Sequence, residues 1–252
     1  MSEFICTNPV VPLRTAPSHR SEMGSQILLG ETYTIVDMAG SWTKIELSFD
    51  NYSGWVDNDH FTFIKNHNKQ DGEIIHKDIL AEVPDKSSIK IFAGSEISNN
   101  SPGEGRFDSG GVFFKTKVGI QTKTNNENPV ITAKQFINAP YLWGGRTSGG
   151  IDCSGLSQIV YKLHGISVPR DSFNQAEIGQ TVNLLAEAVP GDLLFFDNSS
   201  GKITHVAIMN YNNTVIHASG SVRIDKIDHQ GIFSEDLKRY THKLRVIKRL
   251  ID

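Results

Sequence analysis

Cysteine is scarce in this chain: two residues, Cys6 and Cys153, in 252. They lie far apart in unlike surroundings, which excludes a disulfide-stapled scaffold and leaves each to be weighed as a thiol. An excess of one charge is also missing. With 25 basic and 28 acidic residues the formal net charge is −3, so neither nucleic acid nor an anionic membrane surface is the default partner. No apolar run approaches the ~18 residues a membrane helix requires. Met1 to Pro17 lacks the basic segment and following apolar run of a secretory signal. With Met1 as the natural start, the expectation is a cytoplasmic protein; removal of a leader would make it secreted or periplasmic. Cysteine and histidine are not clustered at zinc spacing, so neither metal nor organic cofactor is expected.

What is present changes character along the chain. From Val10 to about Lys65, short alternating apolar runs (Glu31 to Val36, Thr43 to Leu47, Gly54 to Val56) are broken by turn residues, the pattern of a small all-β barrel. Residues 66–126 are read as a second, degenerate barrel. Ile89 to Ala93 and Gly111 to Thr116 are its strand-like runs, Ser98 to Ser109 a loop, and Gln121 to Pro129 a polar linker. Residues 127–252 read as α+β. Thr132 is placed as the cap of a short helix ending near Ala139, and Leu156, Ile159, Val160 and Leu163 form an apolar stripe from Cys153 to His164. Ser172 and Gln175 have capping-box spacing, and strands follow at Asp192 to Phe196, Thr204 to Met209 and Thr214 to Ala218.

Cys153 opens the amphipathic helix directly after Gly149-Gly150-Ile151-Asp152. There the helix dipole and unpaired N–H groups favour thiolate and should lower the pKa below ~8.5, while the glycine pair leaves the sulfur accessible. A nucleophilic thiol also needs a base and a group that orients that base. His205 and His217 lie on successive strands. A two-residue Asn212-Asn213 turn would put them on opposite faces; a three-residue loop, Tyr211 to Asn213, pairs Ala207 with His217 and puts both on one face. Asp152 is placed as a helix N-cap, Trp143 as packing and Cys6 as incidental, and His164 and His229 have no assigned partner.

Taken in order, Tyr141-Leu142-Trp143-Gly144-Gly145, Asp152-Cys153-Ser154-Gly155-Leu156, Pro190-Gly191-Asp192-Leu193, His205-Val206-Ala207-Ile208 and His217-Ala218-Ser219 resemble the NlpC-type cell-wall cysteine peptidases, over about Pro129 to Ile247. Ahead of them, Pro12-Leu13-Arg14-Thr15-Ala16-Pro17, Gly30 to Val36, Ser41-Trp42-Thr43-Lys44-Ile45 and Gly54-Trp55-Val56 resemble the bacterial SH3-like domain, whose members often bind wall peptide. The resemblance implies a papain-like α+β catalytic domain behind two SH3-like barrels. It implies Cys153 as nucleophile, His205 as base and His217 as the group orienting it, with Tyr141 beside the sulfur.

Within the family the chain looks most like the γ-D-glutamyl-L-diamino acid endopeptidases. That implies murein peptides with a free N-terminal L-Ala as substrate, in wall recycling, for a monomeric enzyme. Asp152 and Ser154 would flank the sulfur, Asp152 meeting the substrate ammonium, and Arg170 would meet a substrate carboxylate. The alternatives are an N-acetylmuramoyl-L-alanine amidase or acyltransferase on the same scaffold. A non-catalytic wall-peptide binding protein is a third reading, with Trp42 and Trp55 carrying the function; Tyr33, Trp42 and Trp55 would then line an exposed aromatic groove, although aromatics in a small barrel more often pack in its core or rim.

Overall fold

The computed structural model describes residues 2–65, 73–83, 87–101, 106–109, 111–116, 120–122 and 128–251. Much of the expected linker lies outside them. The chain divides into two compact units, Met1–Asn125 and Asn126–Asp252.

In the first unit, seven antiparallel strands between Glu3 and Lys65 form one sheet. Its apolar positions converge on a core of Leu13, Ile27, Tyr33, Ile45, Leu47, Val56 and Phe61, and Cys6 is buried among them. Packing, and not an exposed aromatic groove, accounts for Tyr33 and Trp42 here, and Trp55 is half-buried. Tyr33 is fully buried in this core, whereas Trp42, nearly buried, lies on the face of its strand opposite Thr43, Ile45 and Leu47 and packs against the His19 ring at 5.0 Å. A second sheet of six strands runs from Glu73 to Lys115 around Ile75, Ile79, Ile91, Ile97 and Phe114. The stretch expected as a loop contributes two of its strands, Glu96–Ser101 and Arg106–Ser109. Leu29, from the first sheet's chain, completes the second core, and the Glu96 N–H donates to its carbonyl at 2.8 Å. Gly30 makes that approach feasible: its φ is +81°, and a Cβ would lie 1.9 Å from the Glu96 carbonyl oxygen.

The second unit puts helices first. Helix α1 (Pro129–Lys134) is capped by Asn128, whose side chain accepts from the Val130 N–H; Thr132, expected as the cap, lies buried inside it. Pro at the first helical position needs no N–H there, which fixes the start one turn earlier than the threonine suggests. Helix α2 (Cys153–Leu163) is buried on every side, Lys162 included, so the apolar stripe marks its tightest face and not a boundary with solvent. Burying Leu156, Ile159, Val160 and Leu163 contributes roughly 1.5–3 kcal/mol each. Helix α3 (Ser172–Gln175) is a single turn. Its cap position is Asp171, with no side-chain capping bond, and the expected Ser172–Gln175 capping box is not formed: Ser172 is already helical, and the Gln175 side chain turns inward to accept from the Ser157 hydroxyl at 2.6 Å.

Six antiparallel strands follow: Leu193–Asp197, Ile203–Met209, Thr214–Ser219, Ser221–Asp228, Gly231–Ser234 and Arg239–Arg249. The last pairs with both the first and the fifth, closing a barrel. Inside lie Leu194, Phe196, Ala207, Val215, Ile227, Ile232 and Ile247. Among the described residues no helix is long and apolar enough to cross a membrane.

Candidate active site

The site is assembled where the start of α2 meets one end of this barrel. Asp152 has extended backbone (φ −97°, ψ 179°), and its Oδ1 accepts the Gly155 N–H at 2.7 Å, which starts the helix at Cys153. Gly155 lets the preceding loop lie against that turn; a Cβ there would fall 2.2 Å from the Gly145 carbonyl oxygen. The Asp152 carboxylate accepts further from the Gly144 N–H at 2.8 Å and from both terminal nitrogens of Arg170 at 3.0 and 2.6 Å. Arg170 also donates to the Ser154 hydroxyl at 2.8 Å.

Arg170, expected to meet a substrate carboxylate, is 3% exposed, and its guanidinium donates to Asp152 and Ser154, which places it behind those two groups. Burial opposes its charge, and the adjoining Asp152 carboxylate outweighs burial and holds its pKa above the ordinary value. Removing one member of such a buried pair typically costs about 3–5 kcal/mol, because the other is left without a counter-charge.

Cys153 is 8% exposed, less accessible than the glycines ahead of it suggest. Its thiol is pushed up to about 12, not lowered. Burial is the main cause, with the Asp152 carboxylate adding to it. The N–H groups of Val206 and Ser154 and the Arg170 charge act in the opposite direction. These groups favour the anion once it forms, but desolvation outweighs them in the resting state. Tyr141 is half-buried close by. Burial, then the neighbouring Cys153 and Asp152, raise its phenol to about 12, so it remains a hydrogen-bond donor. Trp143, assigned to packing, is 58% exposed.

The Val206 N–H that faces the sulfur adjoins His205. The hairpin after it has the three-residue loop: Ile208 pairs with Ile216, Met209 with Val215, and the Asn210 N–H donates to the Thr214 carbonyl. Continuing that register sets Ala207 opposite His217, so both histidines face the barrel interior. His205 Nε2 lies 2.9 Å from His217 Nδ1, and His217 Nε2 lies 3.0 Å from Asp225 Oδ2. Asp225 in turn accepts from Arg223, which also pairs with Asp236 at 2.7 Å. Burial alone would raise the Asp225 carboxyl, but the bonds from His217 and Arg223 outweigh it and hold it low.

This chain sets the tautomers. Asp225 is an acceptor, so His217 donates from Nε2 and accepts at Nδ1. In the neutral pair His205 then donates from Nε2, and its Nδ1 keeps a lone pair for a proton.

Asp225, Arg223 and His242 were not found from the sequence. The first two carry a signal in hindsight: Arg223 and Asp225 alternate with apolar residues on a strand paired directly with His217's, Arg223 opposite His217 itself. His242 carries none, since it arrives from the last strand only when the barrel closes. Its ring stacks on that of His205, with centroids 4.0 Å apart and planes at 23°, and its Nδ1 lies 2.9 Å from the Thr241 hydroxyl. Burial lowers His205 well below the imidazole range, with His242 and then His217 adding to it.

One ring nitrogen from each of His205, His217 and His242 lies within 4.8 Å of the other two. A metal ion, however, must lie in the plane of every ring that ligates it. The stacked, nearly parallel rings of His205 and His242 do not direct lone pairs at one point, so a chelate would require one of them to turn. His164, left without an assignment, contacts the Thr132 hydroxyl through Nε2 at 2.9 Å.

Residues 138–241 match the NlpC/P60 family, and residues 13–61 match the bacterial dipeptidyl-peptidase Sh3 domain. A relative from Bacillus cereus named gamma-D-glutamyl-L-lysine dipeptidyl-peptidase is 27% identical, covering 86% of this chain and 74% of its own. A Bacillus subtilis protein of the same name is 28% identical over 77% of this chain and 71% of its own. The crystal structure of an NlpC/P60 family protein from Bacillus cereus superposes with a TM-score of 0.81 at 20% identity, covering 98% of this chain and 99% of that one.

Proposed function

This chain carries an NlpC/P60 peptidase domain behind a bacterial dipeptidyl-peptidase SH3 domain, and from that premise we propose that it is a cysteine endopeptidase that hydrolyses the bond between γ-D-glutamate and an L-diamino acid in murein peptides with a free N-terminal L-Ala. The observation that carries the reading is the junction of the Asp152-capped helix start with the His205–His217–Asp225 chain, joined through the Val206 N–H at the sulfur of Cys153.

In this reading Cys153 attacks as its proton passes to His205 Nδ1, because a thiol near 12 and a strongly depressed imidazole do not form an ion pair at rest. The backbone N–H of Cys153 donates to the developing oxyanion. His205 then returns the proton to the leaving amine, and water, deprotonated by His205, cleaves the thioester. His217 and Asp225 hold the imidazole in the tautomer this requires. Tyr141 and Asp152 meet the substrate ammonium, Asp152 held in place by Arg170, with Ser154 between them. The second sheet of the first unit is read as a further SH3-like barrel.

A free L-Ala amine marks a peptide already detached from its sugar, so the enzyme acts in recycling of released fragments, in the cytoplasm. The relatives' printed name supports the bond assignment. Mass spectrometry of L-Ala-γ-D-Glu-L-diamino acid digests tests it: the free diamino acid and L-Ala-γ-D-Glu should appear, and N-acetylation of L-Ala should suppress both. Equal rates on free and acetylated peptide would defeat the free-amine assignment. Sugar-linked products or a transferred acyl group would defeat the endopeptidase.

A further inference from the structure

At the same end of the catalytic barrel as His205 is a cavity of about 530 Å³ lined by Asp197, His229, Tyr240, Thr241, His242 and Lys243. His242 is the wall it shares with the active site, since its ring also stacks on His205. Asp197 is the unusual member. Its side chain is 5% exposed, and one carboxylate oxygen lies 3.8 Å from Arg245, a group 65% exposed. The other oxygen, Oδ1, is buried with no hydrogen-bond partner among the described residues. A buried carboxylate oxygen left unpaired is costly, and a ligand donor would relieve that cost.

Position identifies the ligand, given the cleavage reaction of the preceding section, on which this step rests. The base that returns a proton to the leaving nitrogen stands on the leaving side of the scissile bond, whereas Asp152, Ser154 and Tyr141 surround the sulfur on the helix side. A pocket one imidazole beyond His205 therefore receives the side chain of the residue that leaves. Its walls carry both charges: Asp197, and Lys243 directly opposite it on the neighbouring strand. A lone ammonium satisfies the first only. A side chain ending in both an ammonium and a carboxylate, as in 2,6-diaminopimelate, satisfies both.

We infer that this pocket is the leaving-residue subsite, that Asp197 recognises the side-chain ammonium, and that Lys243 selects diamino acids whose far end also bears a carboxylate.

The experiment uses the full chain and three peptides, L-Ala-γ-D-Glu-X, with X as meso-diaminopimelate, L-lysine or L-norleucine. Wild type should rank them in that order, with the ammonium worth ~10-fold or more in kcat/KM. Asp197→Asn should bring the ratio of the lysine peptide to the norleucine peptide to about one. Lys243→Met, at an exposed position, should bring the diaminopimelate-to-lysine ratio to about one while the lysine-to-norleucine ratio persists. Arg245→Met separates loss of the existing ion pair from loss of the site and should preserve the ranking. Equal cleavage of all three peptides by wild type, or an equal loss on all three in both variants, would overturn the subsite and leave the endopeptidase standing. If wild type cuts none of them, the endopeptidase reading falls and the subsite falls with it.

Discussion

The two cysteines sit in different units, yet by burial and resting acidity they are alike. Cys6 is fully enclosed and Cys153 nearly so, and desolvation raises both thiols far above their ordinary value. What differs is how the surroundings treat an anion. Each has a carboxylate that opposes thiolate, Glu31 at Cys6 and Asp152 at Cys153, and at Cys6 the backbone of Asn8 alone acts the other way. Cys153 faces two backbone N–H groups and a guanidinium, and the strand beside it carries the histidine. A resting pKa therefore does not identify a nucleophile here. The preorganised donors are what support the proposal of Cys153, because they act on the charge that appears during reaction and contribute nothing to a neutral thiol.

The largest expected effect follows directly from that contrast. Cys153→Ala should lower cleavage of L-Ala-γ-D-Glu-diamino acid peptide on the order of 10⁴-fold or more, the scale seen when a nucleophile is removed from a catalytic unit. The comparison breaks if the variant retains a rate within ten-fold of wild type.

How much of this was legible in the sequence depends on the range of the contacts involved. The helix at Cys153 and its Asp152 cap are local and were readable from the Asp-Cys-Ser-Gly order. The shared face of His205 and His217 rested on one loop length, so two registers remained open until the pairing of Met209 with Val215 closed one. The strand Arg239–Arg249 was missed because most of its residues are exposed or half-exposed and basic side chains dominate it, so the alternation of Tyr240, Leu244 and Val246 with Thr241, Lys243 and Arg245 is a weak signal. His242 lies on it and was lost with it. The pKa direction of Cys153 failed for a related reason: the helix dipole is visible in sequence, whereas full desolvation comes from strands some 50 residues away.

His242 offers a medium-sized test of whether surroundings tune the site. His242 and His205 are both depressed, His242 to about 4, by burial first and His217 second. A depressed histidine is neutral in the fold while the unfolded chain takes up a proton below ~6.5. The stability it contributes is therefore complete above that pH and declines as pH falls toward 4. His242→Phe keeps a ring on His205 but removes one such proton, so its Tm should fall less steeply than that of wild type between pH 6.5 and 4. In catalysis, His242→Ala admits water beside His205, which should move the acid limb of kcat/KM upward by about one pH unit, while His242→Phe should move it less. Identical limbs in all three proteins would show that the stacked ring does not set the base.

The smallest expected effect completes the contrast. Cys6→Ala removes one buried sulfur from a packed β core and should cost about 1 kcal/mol of stability in urea unfolding, the scale of a one-atom cavity. Its kcat/KM should stay within about two-fold of wild type, since the cost is confined to a core that holds Leu13, Ile27 and Ile45 and no part of the thiol chemistry. A loss of activity comparable to that of Cys153→Ala would mean that burial of a thiol, and not the donors aimed at it, is what the two sites have in common.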